Sequence, residues 1–195
     1  FFYKPILSAT IRIGHHSDSV SLINNVVKCV NLDSNSIYNI FAQGKNSLIH
    51  NNLILHGEYG INSQEYYSVI RYNTILDFRK CGILVDSYSG FYPDAIVGHN
   101  SIRTTQDSLY NCGIIVRSVG VVHSNEINNT NIGVGIEDGF SEVYNNMISI
   151  DRSGYANYGI RINNMGSLNV YYNSLYIKNG DSNSSIRTLY ITIEF

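Results

Sequence analysis

Val97-Gly-His-Asn100-Ser-Ile102, followed by Gly113-Ile-Ile-Val116, holds the pattern that decides the fold. An aliphatic residue stands three positions before Asn100 and another two positions after it. The same phrase recurs around Asn25, Asn52, Asn73, Asn125, Asn146 and Asn173, with Leu22, Ile49, Ile70, Val122, Val143 and Val170 as the preceding aliphatics. Neighbouring Asn positions differ by 27, 21, 27, 25, 21 and 27 residues. Self-similarity at such a period marks a repeat architecture, in which each unit shares its core with the next.

The second phrase repeats as well: Gly60-Ile61, Gly82-Ile-Leu-Val85, Gly133-Val-Gly-Ile136 and Gly159-Ile-Arg-Ile162. Short alternating apolar segments rich in β-branched residues read as strands, and nothing between them carries a helical period. Each repeat therefore holds about three short strands that pair in parallel with the strands one coil away. The expected fold is all-β: a single-stranded right-handed parallel β-helix (a solenoid) of about seven coils of 21–27 residues, with an Asn ladder at one corner. The ladder is expected to consist of Asn25, Asn52, Asn73, Asn100, Asn125, Asn146 and Asn173. A corner amide bonds both to the turn backbone and to its equivalent in the next coil, and Asn tolerates the left-handed conformation that a sharp bend needs.

Composition agrees with one β-helix domain over residues 1–195, read as a fragment of a longer protein because the chain begins Phe1-Phe-Tyr3. Only 14% of residues are charged, against about a quarter in an ordinary domain. The polar surface is built instead from 25 Asn, with Ser, Gly and 16 Tyr. A net charge of -2 argues against a nucleic-acid partner, and no run of about 18 apolar residues reads as a membrane span. Cys81 and Cys112 share a repeat position, which stacking would bring close enough to bridge, although free thiols acting as small hydrophobes are favoured.

The Asn-x-Ile corners and Gly-Ile-x-(Val/Ile) strands, from about Ile11 to Ile186, resemble those of right-handed parallel β-helix repeat proteins, the pectate-lyase-like superfamily. That resemblance implies a glycan bound along the outer face of one sheet, on an extracellular or cell-surface protein. With Ile83 and Val85 inside, the outward column just past them reads Gln64, Asp86, Arg117, Glu137 and Asn163; the column before it includes Leu84, Ile115, Gly135 and Arg161. Asp86, Arg117 and Glu137 are the catalytic candidates: Arg117 to neutralise or deprotonate a uronate, the carboxylates to hold Ca²⁺ or act as acid and base. Carboxylates two coils apart would lie roughly 9 to 10 Å from each other, at or beyond the long end for an inverting hydrolase. Tyr66, Tyr67, Tyr88, Tyr92 and Arg161 are the expected substrate-binding residues, since Tyr rings pack on sugar faces and offer a hydroxyl.

Activity, if present, would be that of a polysaccharide lyase or glycoside hydrolase, yet the paired-Asp and Gly-His-Gly signatures of pectin hydrolases are missing, as are the Asp clusters of pectate lyases. His15-His16 has no third ligand at a readable spacing, so no metal site is expected. The alternative is a non-catalytic structural repeat, adhesin or oligomerising spacer that self-associates end to end, its charged column a ladder of surface ion pairs.

Overall fold

Short β-branched runs punctuated by Asn and Gly become strands throughout the computed structural model, and no helix occurs among the described residues. Those residues are 8–14, 16–29, 37–64, 67–86, 95–106, 110–117, 119–137, 140–152, 156–163, 167–178 and 186–192. The chain visits three sheets in strict rotation, and each strand pairs in parallel with the one a coil earlier. The first sheet holds eight strands, among them Tyr59–Ser63, Cys81–Val85, Cys112–Val116, Ile132–Ile136 and Asn157–Asn163. The second and third hold seven each, represented in one coil by Ala95–Gly98 and Ser101–Arg103. The fold is a parallel β-helix with an Asn ladder.

Inward columns fill the interior: Ile49, Ile70, Val97, Val122 and Val143 from the second sheet, Ile54, Ile75, Ile102, Ile127 and Ile148 from the third, Ile61, Ile83, Ile114 and Val134 from the first. All are fully buried. Burying each such side chain contributes about 1.5–3 kcal/mol.

The ladder runs unbroken from Asn25 to Asn173. Asn100 shows the scheme. Its Oδ1 accepts from the backbone N–H and the Nδ2 of Asn73, both at 3.0 Å, while its Nδ2 donates to Asn125 Oδ1 (3.0 Å), Ile70 O (2.9 Å) and Gly98 O (3.1 Å). The left-handed residue is not the ladder Asn, as expected from sequence, but the residue before it. Asn24, Asn51, Tyr72, His99, Ser124, Asn145 and Tyr172 have φ between 53° and 60°. The ladder Asn must turn its amide inward to its neighbours, so the bend falls on the preceding position, whose side chain faces outward. Asn accepts that conformation readily, whereas a bulky ring there is an outlier.

A second, shorter ladder went unread in the sequence. Asn111 and Asn131 exchange backbone-to-side-chain hydrogen bonds (3.2 and 2.9 Å), and Asn131 Nδ2 donates to Asn157 Oδ1 at 3.3 Å. Arg152 donates to Asn131 Oδ1 at 3.1 Å and to the Gln106 carbonyl. These buried amides closed the corner with acceptors to spare, which draws the guanidinium inward.

His123 ends the strand Gly120–His123, its ring between His99 (5.1 Å) and Tyr144 (5.2 Å). Burial, then the neighbouring His99, lowers its pKa from the ordinary value near 6.5. The unfolded chain therefore takes up this proton more readily than the folded one, so His123's contribution is complete above about pH 6.5 and is lost as pH falls. The urea midpoint is expected to drop between about pH 7.5 and pH 5.5, and His123→Gln to shrink that drop. An unchanged pH dependence in the variant would count against this assignment.

Candidate functional site

The outer face of the first sheet owes its shape to a local break in strand alternation. A Cβ on Gly82 would lie 2.7 Å from Ile102 Cγ2 and 3.3 Å from Phe78 Cε1, so Gly82 faces the core just as the adjacent Ile83 does. Gly113 and Gly133 do the same against Ile127 and Ile148. Two successive inward residues, repeated in register from strand to strand, leave Cys81 and Leu84 both pointing outward. Repeated coil after coil, this places Cys81, Leu84, Cys112, Ile115 and Ile132 in an apolar cluster outside the main core, with Tyr59 and Tyr158 packed against it.

Within that cluster lies an open trough of about 460 Å³, lined by Tyr59, Lys80, Cys81, Leu84, Tyr110, Cys112, Ile115 and Arg117. Tyr110 is 75% exposed, whereas the floor is almost closed to solvent. Lys80 bonds Glu58 at 2.9 Å, and its ammonium lies 5.7 Å from the Tyr59 ring centre. Tyr59 in turn stacks on Tyr38 at 4.8 Å. Burial, reinforced by Tyr38 and Cys81, pushes the Tyr59 hydroxyl up to about 12, so it stays a donor.

Cys81 and Cys112 are direct Cα partners across the sheet and both are free. Burial, then the neighbouring Cys112, raises the Cys81 thiol well above its ordinary value, and burial pushes Cys112 up to about 12. Thiols held protonated are poor nucleophiles, so they serve as trough floor.

Asp86, Arg117 and Glu137 follow the paired residues Val85, Val116 and Ile136, and so occupy consecutive rungs at the trough's edge. Arg117 Nε donates to Glu137 Oε2 at 2.6 Å, and its Nη1 lies 3.6 Å from Asp86 Oδ2. Glu137 also accepts from Arg161 Nη2 at 3.0 Å. Desolvation lowers the Arg117 pKa, but the hydrogen bond and charge of Glu137, with Asp86 beside them, raise it on balance. Arg117 is thus a fixed cation with no capacity to take a proton. The rungs continue to Gln64 and Gln43, which bond each other at 3.0 Å. With side chains a quarter to two-fifths exposed, such pairs contribute about a kilocalorie per mole or less each.

No family model, curated protein or solved structure matches this chain. Arg117 stands between the two carboxylates expected to share Ca²⁺, and no group of three or more His, Cys, Asp or Glu among the described residues is arranged to hold a metal ion. No helix among them is long and apolar enough to cross a membrane.

Of the expected sugar-binding residues, Tyr66, Tyr88 and Tyr92 lie outside the described residues. Tyr67 is half exposed in the turn before Val69–Arg71 and does not line the trough. Arg161 lies in the column of Leu84, Ile115 and Gly135, and its Nε is buried without a hydrogen-bond partner. Sequence reasoning missed Tyr59, Lys80 and Tyr110. A signal existed for Tyr59, because the position before each Gly-Ile phrase carries Tyr59, Cys81, Cys112, Ile132 and Tyr158 in turn.

Proposed function

We propose that this chain is a glycan-binding β-helix module of the pectate-lyase-like kind, carried on an extracellular or cell-surface protein, which holds an acidic sugar chain across the outer face of the first sheet without cleaving it. The trough carries the reading. Its apolar floor and tyrosine walls suit the C–H face of a sugar ring, and the hydroxyls of Tyr59 and Tyr110 suit its oxygens. Lys80 and Arg117 on the lining, with the unpartnered Arg161 Nε one column away, favour a carboxylate on that sugar. Arg117, held between Glu137 and Asp86, is suited to pair with a carboxylate rather than to act as a base.

The second reading is a structural repeat or adhesin. It draws support from the Asp86–Arg117–Glu137–Arg161 ladder, whose charges are satisfied within the chain.

Calorimetric titration with polygalacturonate oligomers, with and without Ca²⁺, separates the two. Wild type is expected to bind without releasing product. Tyr110→Ala should lower affinity about tenfold while leaving the thermal transition in place, since its ring is mostly solvent-exposed. Arg117→Ala should weaken acidic more than neutral glycans and shift stability by about 1 kcal/mol or less. Failure of the wild type to bind acidic or neutral glycans would leave the structural reading standing.

A further inference from the structure

At the Asn-ladder corner, on the outside of the coil, seven aromatic rings form an unbroken chain. His50 meets Tyr72 at 5.2 Å, Tyr72 stacks on His99 at 4.8 Å, and His99 meets His123 at 5.1 Å. His123 then stacks on Tyr144 at 5.2 Å, Tyr144 on Tyr171 at 5.0 Å, and Tyr171 meets Tyr172 at 5.4 Å. The rings come from two adjacent columns. One is the last residue of each second-sheet strand (His50, His123, Tyr144, Tyr171), the other the left-handed corner residue (Tyr72, His99, Tyr172). Where one column lacks a ring the other supplies it, so the ribbon spans roughly 24 Å at about 4.8 Å per coil.

Two independent observations set this apart from incidental surface. Tyr72 (φ 58°), His99 (φ 56°) and Tyr172 (φ 55°) occupy positions where other coils place Asn24, Asn51 and Asn145. The bulky Tyr72 and Tyr172 are outliers in that conformation, and such strain concentrates where a side chain is needed for something besides folding. Gly98 is the other: a Cβ there would sit 2.6 Å from His123 Nε2, so the chain gives up a side chain to seat that ring. The rings are also accessible, with Tyr72 48% and Tyr172 82% exposed.

We propose that this ribbon is a docking track for an extended neutral polysaccharide laid along the helix axis, separate from the trough on the first sheet. Charge selects the occupant. The two ring columns contain one formal charge, Arg71, and the outward positions flanking them carry Glu126 and Glu142. A polyanion such as single-stranded nucleic acid needs a cationic groove beside its stacking rings, and an anionic membrane needs clustered Lys or Arg. Neither is present among these columns. Tyr hydroxyls and imidazole nitrogens recurring once per coil instead match a polymer of hydroxyl groups with apolar ring faces.

The test is affinity electrophoresis of the full chain through gels containing mixed-linkage β-glucan or xylan. Tyr72→Asn, His99→Asn and Tyr172→Asn combined install the residue that other coils use at this corner, so the backbone conformation is retained. The expected result is retardation of wild type and loss of at least about tenfold in affinity for the triple variant. Circular dichroism confirms that the triple variant is folded; if it is not, Tyr172→Asn alone, at the most exposed ring, replaces it and should lose part of the retardation. Absence of retardation in wild type, equal retardation of a folded variant, or tight binding of a single-stranded oligonucleotide or anionic vesicles in its place would overturn the proposal.

Discussion

Asn100→Ala is expected to lower the unfolding free energy by about 3–5 kcal/mol, at the top of the range for a single substitution. The side chain is 1% exposed and lies in the middle of the ladder. Its removal takes the Oδ1 acceptor from the backbone N–H of Asn73 and one of three acceptors from Asn73 Nδ2, and it withdraws the donor from the carbonyls of Ile70 and Gly98. Each buried polar group left unpaired costs about 1–3 kcal/mol, and none of these reaches water. Asn25→Ala, at a partly exposed position, should cost distinctly less because water replaces the lost partners. Urea denaturation of the two variants gives the comparison; equal losses would mean that the ladder's worth does not depend on burial.

Gly113→Val is the second large effect, expected at about 3 kcal/mol or more. The first added carbon alone would lie 2.5 Å from Ile127 Cγ2 and 2.7 Å from the carbonyl of Gly133. The carbonyl belongs to a paired strand and cannot swing aside as the tip of a flexible side chain would. Gly135→Val, on the paired strand one coil away, meets nothing closer than 3.5 Å at its first added carbon and should be tolerated. Thermal transitions of the pair test whether Gly113 faces the core. A mild Gly113→Val would mean that the strand alternates normally, and the account of the trough floor would fail with it.

The sequence revealed most of the scaffold because every coil repeats the same demands. Asn25 to Asn173 and the inward Ile and Val columns follow from position alone, and so does the succession Asp86, Arg117, Glu137. What escaped was whatever departs from the period. The inward pair Gly82–Ile83 breaks the alternation of two, and with it the prediction of which residues floor the outer face. Tyr110 reaches the trough from a turn rather than a strand, so no column contains it. Asn111, Asn131 and Asn157 form their ladder over three coils only, too few to stand out among 25 asparagines. The aromatic ribbon is invisible along either column because its rings switch between neighbouring positions.

The Asn corner also determines where the chain can change length. Second-sheet and third-sheet strands are always joined by two residues, as in Leu48–His50 to Leu53–Leu55 and Gly120–His123 to Glu126–Asn128. The spread of coil lengths, 21 to 27 residues, is therefore taken up away from this corner, in the other two connections and in the strands beside them. An added residue at those corners lengthens a loop, whereas one added beside a ladder Asn would throw two sheets out of step with their neighbours. The molecule has one edge of fixed gauge and two that are adjustable, and diversification of its loops leaves that fixed edge straight and uncovered.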